Sequence, residues 1–399
     1  MTPPAASSRT IALDPNEIVE RIRSVLPHSD GQVALHEPRF NGNEKRYVVD
    51  CIDTGWVSYS GAYVERFESA LAEACGTAHA VAVVNGTVAI QVALHAAGVL
   101  PGDEVLIPAF TFVATANAVV HAGAIPHFVD IDDTTLGISP HALEAHLERM
   151  GRWHDGALFN RHTQRRIAAM VPVHVFGHPV DFDQLAAVAA RYGLTVVEDA
   201  AESLGSLYKG RPCGSLATLA TLSFNGNKIV TTGGGGAILT NDEVIAMRLR
   251  HLTTTAKQPH PWAFFHDEVA WNFRLPNLNA ALGLAQIESL SQAVAQKRKL
   301  RQLYAEAFEN LPGLRVLGEA AFAKSNYWLI SLLLEPDEDN QIEPILAATN
   351  GAGLATRRAW TPLHRLPMYA MNPRAPLPVT ESISERLINV PSSPFLCPA

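Results

Sequence analysis

Lys228 stands ahead of four consecutive glycines, Gly233 to Gly236, in "SFNGNKIVTTGGGGAILTND", residues 223–242. A lysine so placed can clamp a phosphate, pair with a buried carboxylate or act as a nucleophile. A magnesium-dependent phosphate loop needs G-x-x-x-x-G-K-[ST], and here Ile229 follows the lysine. A dinucleotide fingerprint fails as well, because Ile238 occupies the place of the third glycine and "AILT" reads as a strand. The run reads instead as a place where backbone passes close to something bulky or takes up positive φ. A lone loop lysine is ordinarily solvated.

Three other features raise the odds of chemistry. "VVEDAAESLG" puts Asp199 at the carboxyl end of an apolar strand, where open α/β sheets bind ligands, although a helix N-cap would look the same. "VVNGTVAI" places Gly86 and Thr87 where a strand hands over to a helix, so free N–H groups could hold a phosphate, or simply make a turn. "PAFTFVATANAVV" sets Phe112 in the next loop on the same rim, as a ligand's aromatic plate or as core. Together, a phosphate site, a plate, a carboxylate and a lysine are the parts that hold pyridoxal phosphate through a lysine Schiff base.

The elements that must position them alternate. "HAVAVV", "EVLIPAF", "IPHFVDID", "RIAAMVPVHVFG" and "LTVVEDA" read as strands between the helical patterns "TVAIQVALHAAG", "SPHALEAHLERM" and "DFDQLAAVAARYG". Apolar strands separated by helices predict a mostly parallel sheet covered on both faces. After residue 270 a long helical stretch leads into the strands "NYWLISLLLE" and "GLATRRAW" around the helix "IEPILAAT". The division expected is an N-terminal arm with one amphipathic helix over 1–32, a large cofactor-binding domain over 33–270, and a linking helix with a smaller α/β domain over 271–399.

Bulk properties exclude other classes. The 399 residues are 47% hydrophobic, enough for a large core in two domains. Lys and Arg total 31 against 39 Asp and Glu, and no basic run interleaves with aromatics, which argues against nucleic acid. No apolar leader or spanning segment is present, so no membrane is expected. Cys51, Cys75, Cys213 and Cys397 lack CxxC spacing, which suits a reduced cytoplasm. The 16 histidines raise a metal-dependent hydrolase as a rival, but no HExxH occurs and His260 and His266 are not helical partners, so no metal ligands are assigned.

The chain resembles the fold-type I, pyridoxal-phosphate-dependent sugar aminotransferases of the DegT/DnrJ/EryC1/StrS family. The likeness runs from "NGNEKRYVVDCIDTGWVSYSGAYVERFE" to "LINVPSSP" and includes, in order, Gly86-Thr87, "TFVATANAVVHAGAIPHFVDID", "VPVHVFGHPVDFD", "VVEDAAESLG", "SFNGNKIVTTGGGG", "WNFRLPNLNAALGLAQ" and "WTPLHRLPMY". It implies a large domain with a mostly parallel seven-stranded sheet and a smaller C-terminal α/β domain. It implies also that Lys228 carries the cofactor and moves the proton, that Asp199 pairs with the pyridine nitrogen, and that Phe112 stacks on the ring. Gly86, Thr87 and Ser223 would hold the phosphate, and Asn272 would reach the cofactor of a neighbouring subunit in a homodimer with shared sites. Trp56, His174, Arg274 and His364 fall in segments the family uses around the sugar or the cofactor, and each could equally be structural.

Glu202, Asn225 and Gly234 depart from the commonest family pattern, where glutamine, histidine and glutamate stand. Glu202 matters most, because a second carboxylate beside the ring changes local proton affinities. With "HEPRFNGNE" at 36–44 these departures are similar to the branch acting in legionaminic acid-type synthesis. That branch implies amino transfer from L-glutamate to C4 of a UDP-linked 4-keto-6-deoxy-N-acetylhexosamine. The alternatives are a C3 or C4 aminotransferase on a dTDP- or GDP-keto-sugar, and a non-catalytic regulator or scaffold on the same fold.

Overall fold

In the computed structural model, residues 13–27, 31–336 and 341–398 are described. The parts of the expected arm at 1–12 and 28–30 lie outside them.

Seven strands make the principal sheet: β1 (His79–Val83), β2 (Glu104–Pro108), β3 (Ile125–Val129), β4 (Ile167–Met170), β5 (Thr195–Asp199), β6 (Leu219–Ser223) and β7 (Gly236–Thr240). Their spatial order is β1-β7-β6-β5-β4-β2-β3. β7 runs antiparallel to both neighbours, and the remaining pairs are parallel, as the alternating pattern predicts. Side chains alternate across the sheet. Val81 and Val83 of β1 pack with the helix Gly86–Ala96, whereas Ala80 and Ala82 face the helix Ala62–Cys75 through Phe67 and Leu71. Both faces are therefore dry, which is why these strands read as unbroken apolar runs.

Two segments differ from the sequence reading. The strand expected through "RIAAMVPVHVFG" stops at Met170, because Pro172 has no N–H for a ladder and Val175–Gly177 turns as a 3-10 helix with Phe176 at φ 54°. The long helix is two, Asn277–Ile287 and Leu290–Phe308, parted at Glu288 and Ser289.

A second sheet is antiparallel, in the order Leu314–Val316, Ile330–Leu334, Leu387–Val390, Arg357–Arg358. The helix Pro15–Val25 starts at Asp14, whose carboxylate accepts from the Asn16 N–H, with proline at its first position. Its apolar stripe of Ile18, Val19, Ile22 and Val25 is buried against Leu300, Tyr304, Phe308, Ile342 and Ile345. Among the described residues no helix is long and apolar enough to cross a membrane.

The topology brings the carboxyl ends of β1, β2, β5 and β6 to one edge. Gly236 opens β7 between Val83 and Ser223, the last residues of β1 and β6.

Candidate active site

A cavity of about 280 Å³ lies on that edge. Gly86, Thr87, Phe112, Asp199, Glu202, Ser223 and Lys228 line it together. Its anionic end is built by the helix that follows β1. Asn85 caps this helix, its side chain accepting from the Val88 N–H at 2.9 Å. Gly86 and Thr87 sit in the first turn, where N–H groups have no helical carbonyl to bond, so they are free for an anion at the positive end of the dipole. Gly86 cannot be larger without movement: a Cβ there would lie 2.8 Å from the Ser223 Cβ.

The glycine run serves this junction. A Cβ on Gly236 would meet the Asn85 carbonyl carbon at 2.5 Å and the Gly86 nitrogen at 2.7 Å, and Gly233 has φ 79°. Gly236 thus lets β7 pass under the Gly86 turn and Gly233 lets the chain bend into β7, both through missing side chains. The loop between β6 and β7 also carries Lys228.

Asp199 ends β5 fully buried, accepting from the Thr115 hydroxyl at 2.9 Å and the Ala201 N–H at 3.1 Å. Burial pushes its carboxyl above the ordinary value, against the pull of those two donors and of Lys228. Glu202 is likewise buried and raised by desolvation, which Lys228 and the Phe176 N–H oppose. Its Oε1 lies 3.1 Å from the Lys228 Nζ, and its Oε2 accepts from Phe176 N at 2.8 Å. The departure from the usual glutamine is therefore a direct partner of the lysine.

Phe112 precedes the helix Val113–His121 and is half exposed toward the cavity. Asn225, singled out in the sequence, also lines the cavity, as do Trp328, Trp360, Arg357, Thr115 and Asn227, which were not. The Lys228 Nζ lies 3.8 Å from the Trp328 ring centre. Thr115 had a signal, standing three residues after Phe112 in the first helical turn beside the rim. Trp328 and Arg357 had none, since each sits in a stretch that reads only as a strand of the second sheet.

The remaining candidates are not brought to this cavity. His174 is completely buried behind it, bonded through Nε2 to Glu198 at 2.9 Å and through Nδ1 to the Val180 N–H at 3.1 Å, the geometry of a satisfied core histidine. Arg274 pairs with Glu68 at 2.7 Å, the carboxylate that also receives the Ala82 N–H of β1. His364 bonds Glu381 at 2.6 Å. The Trp56 ring is exposed, while its carbonyl accepts from Asn277 at 2.6 Å. Asn272 is exposed and its backbone pairs with Thr254.

The free N–H groups, the buried carboxylate and the lysine fit a cofactor that has a phosphate, a basic ring nitrogen and an aldehyde. Comparison with known proteins agrees. The profile of the DegT/DnrJ/EryC1/StrS aminotransferase family matches residues 38–399. The chain is 34% identical over 369 residues to the GDP-perosamine synthase of Vibrio cholerae, covering 92% of this chain and 95% of that protein. It is 37% identical to the putative pyridoxal phosphate-dependent aminotransferase EpsN of Bacillus subtilis, covering 85% and 84% of the two chains. Among solved structures, a DegT DnrJ EryC1 StrS aminotransferase from Brucella abortus superposes with a TM-score of 0.80 at 28% identity, over 89% of this chain and 91% of that one. The chain therefore belongs to the DegT/DnrJ/EryC1/StrS aminotransferase family, and it is a pyridoxal-phosphate-dependent aminotransferase.

Proposed function

We propose that the protein moves the amino group of L-glutamate to the C4 keto group of a nucleotide-linked 4-keto-6-deoxy sugar. The observation that carries this reading is the convergence of Lys228, Asp199, the Gly86 turn and Phe112 on one cavity. Gly86, Thr87 and Ser223 would hold the phosphate, Phe112 would cover the ring, and Asp199 would keep a proton on the ring nitrogen. Bound there, the cofactor supplies an electron sink for the charge left when a proton leaves the substrate carbon. Lys228 would hold the cofactor and, as a free amine, would move that proton as general base and then general acid. Glu202 would keep that amine in place. Arg357, whose side chain lines the cavity without a hydrogen bond or ion pair among the described residues, meets an anionic group of the substrate.

The segment "HEPRFNGNE" supports a UDP-linked N-acetylhexosamine as the acceptor. A GDP-linked sugar is the second reading, supported by relatives named GDP-perosamine synthase at 34% and 35% identity. Asn272 lies outside the cavity of its own chain and follows, in sequence, the exposed Trp262, Phe264, Phe265 and Val269. This supports a homodimer in which Asn272 completes the partner's phosphate site.

The first test is the visible spectrum of the purified protein. A yellow band that bleaches on addition of L-glutamate alone is expected, and Lys228→Ala should bind cofactor yet fail to turn over. Near-normal turnover in that variant would sink the mechanism. UDP-, GDP- and dTDP-linked keto-sugars offered to the bleached enzyme then separate the acceptor readings by which one restores the band.

A further inference from the structure

Trp328 is gripped on three sides. Its backbone N–H donates to Asn326 Oδ1 at 2.8 Å, and its indole N–H donates to the carbonyl of Asn227, the residue before Lys228, at 2.7 Å. Its carbonyl accepts from the Lys297 Nζ at 3.0 Å. Tyr327, just ahead, has φ 49°, a left-handed turn that brings the indole round to the lysine loop. Asn326 in turn donates to the carbonyls of Glu202 and Leu204 at 3.0 and 2.9 Å. The stretch entering the second sheet is thus bonded both to the Glu202 loop and to the Lys228 loop, and one ring face is left for the lysine.

Lys297 is unusual in its own right. It is completely buried on the helix Leu290–Phe308, and its amine reaches only the carbonyls of Trp328 and Ser392, with no ion pair among the described residues. Burying an amine without a carboxylate is costly, so a plain packing role would be better served by methionine or leucine. What the amine adds is a tie between Trp328 and the turn after Leu387–Val390. Ser392 extends that tie, its hydroxyl accepting from the Ile330 N–H at 2.8 Å.

We propose that Trp328 is a positioning residue for Lys228, holding the free ammonium over its indole face, and that Lys297 is a second positioning residue that fixes Trp328 through its carbonyl. The inference rests on the reading of Lys228 given above. An aromatic face favours the charged amine. The other charged or titratable groups around Lys228 are the Glu202 and Asp199 carboxylates, the His36 imidazole, Arg357 across the cavity, and Glu37 and Arg39, which line an adjoining cavity with it. None of these is substituted when Trp328 is changed, and because the His36 ring lies 6.5 Å from the Trp328 ring, Trp328→Phe is the comparison that isolates the π face.

The test mixes cofactor-free, full-length protein with pyridoxal phosphate from neutral to alkaline pH and follows the rise of the visible band. That rise reads the neutral Lys228 amine adding to the aldehyde carbon, with a C=N bond formed and water released. In Trp328→Leu the midpoint of the pH–rate curve should move to lower pH by about half a unit to one unit, the size of a cation–π contact. Trp328→Phe, which keeps a π face, should stay with the unaltered protein. Lys297→Met should move the midpoint in the same direction by less. Affinity for pyridoxamine phosphate, which has no aldehyde, should hold in all three. An unmoved midpoint in Trp328→Leu would overturn the proposal, as would a loss of pyridoxamine phosphate affinity that alone explains slower band formation. An upward shift in Lys297→Met would show that only a positive charge had been removed and would overturn the role given to Lys297. Should that variant fail to fold, the Trp328 pair decides the role of the ring. Lys228→Ala is the separate control: a normal band there would defeat the reading of Lys228 itself, whereas an unmoved midpoint defeats only the positioning role.

Discussion

The Lys228 amine lies 3.1 Å from a Glu202 carboxylate that is itself buried, and no other ion pair of either residue occurs among the described residues. The two are coupled: burial raises the Glu202 carboxyl while the lysine pulls it back.

Glu202→Gln should keep the acceptor for the Phe176 N–H but remove the charge. Because the burial-raised Glu202 carboxyl no longer titrates there, the acid limb of the single-turnover rate with L-glutamate should then move to lower pH. A stopped-flow pH profile of the two proteins checks this, and an unmoved limb would mean that the carboxyl is neutral in the working enzyme.

Arg357 carries the second prediction. Its guanidinium has been drawn below its ordinary basicity by desolvation, with Glu202 acting in the opposite sense. It lines the cavity without a hydrogen bond or ion pair among the described residues. Arg357→Ala should raise the KM of an anionic substrate about ten- to a hundredfold, the worth of one charge-assisted hydrogen bond, and change kcat far less. Which substrate responds, the amino acid or the nucleotide sugar, shows what the guanidinium binds. A KM unchanged for both would remove Arg357 from the binding site.

Much of this was legible before any coordinates. β1, β2, β3 and β5 are apolar runs bounded by turn residues, and a sheet buried on both faces demands that pattern. Asp199, Gly86 and Phe112 could be placed on one rim because a parallel sheet puts every strand-to-helix loop at the same edge. His174 was legible only as a strand-end residue, since the sequence does not tell that Glu198 and Val180 occupy both ring nitrogens. Trp328 and Arg357 are invisible for another reason: they enter from the segments of the second sheet, a hundred residues or more beyond Lys228, and no local spacing encodes that docking.

The glycine run gives a prediction about backbone. Gly236→Ala places a methyl group against the Asn85 carbonyl carbon and the Gly86 nitrogen, at 2.5 and 2.7 Å, and neither is the end of a flexible side chain. It should cost about 1–3 kcal/mol of stability, as overpacking does, and weaken retention of the cofactor phosphate. Gly234→Ala is the control, because nothing lies within 4 Å of a Cβ there. Thermal unfolding and equilibrium dialysis of pyridoxal phosphate separate the two, and equal behaviour of both variants would deny the close-approach role of Gly236.

Asp199 gives the last prediction, in which stability and function oppose each other. Its carboxyl is raised by burial in the folded protein, so the unfolded chain releases that proton at lower pH than the folded one. The resulting penalty is absent below the ordinary aspartate value of about 3.9, grows as pH rises toward the folded value, and is fully present above it. Asp199→Asn removes the penalty while still offering an oxygen to the Ala201 N–H and a polar group to the Thr115 hydroxyl. The cofactor-free variant should therefore melt higher than the unaltered protein at mildly alkaline pH, and the advantage should vanish toward strong acid. With cofactor added the order should reverse, because the ring nitrogen's proton compensates the carboxylate and ligand binding stabilises only the folded state. Thermal unfolding over a pH series, with and without pyridoxal phosphate, reads both effects. A constant difference at every pH would mean that Asp199 does not change its charge on folding, and an unreversed order with cofactor would remove it from the ring nitrogen.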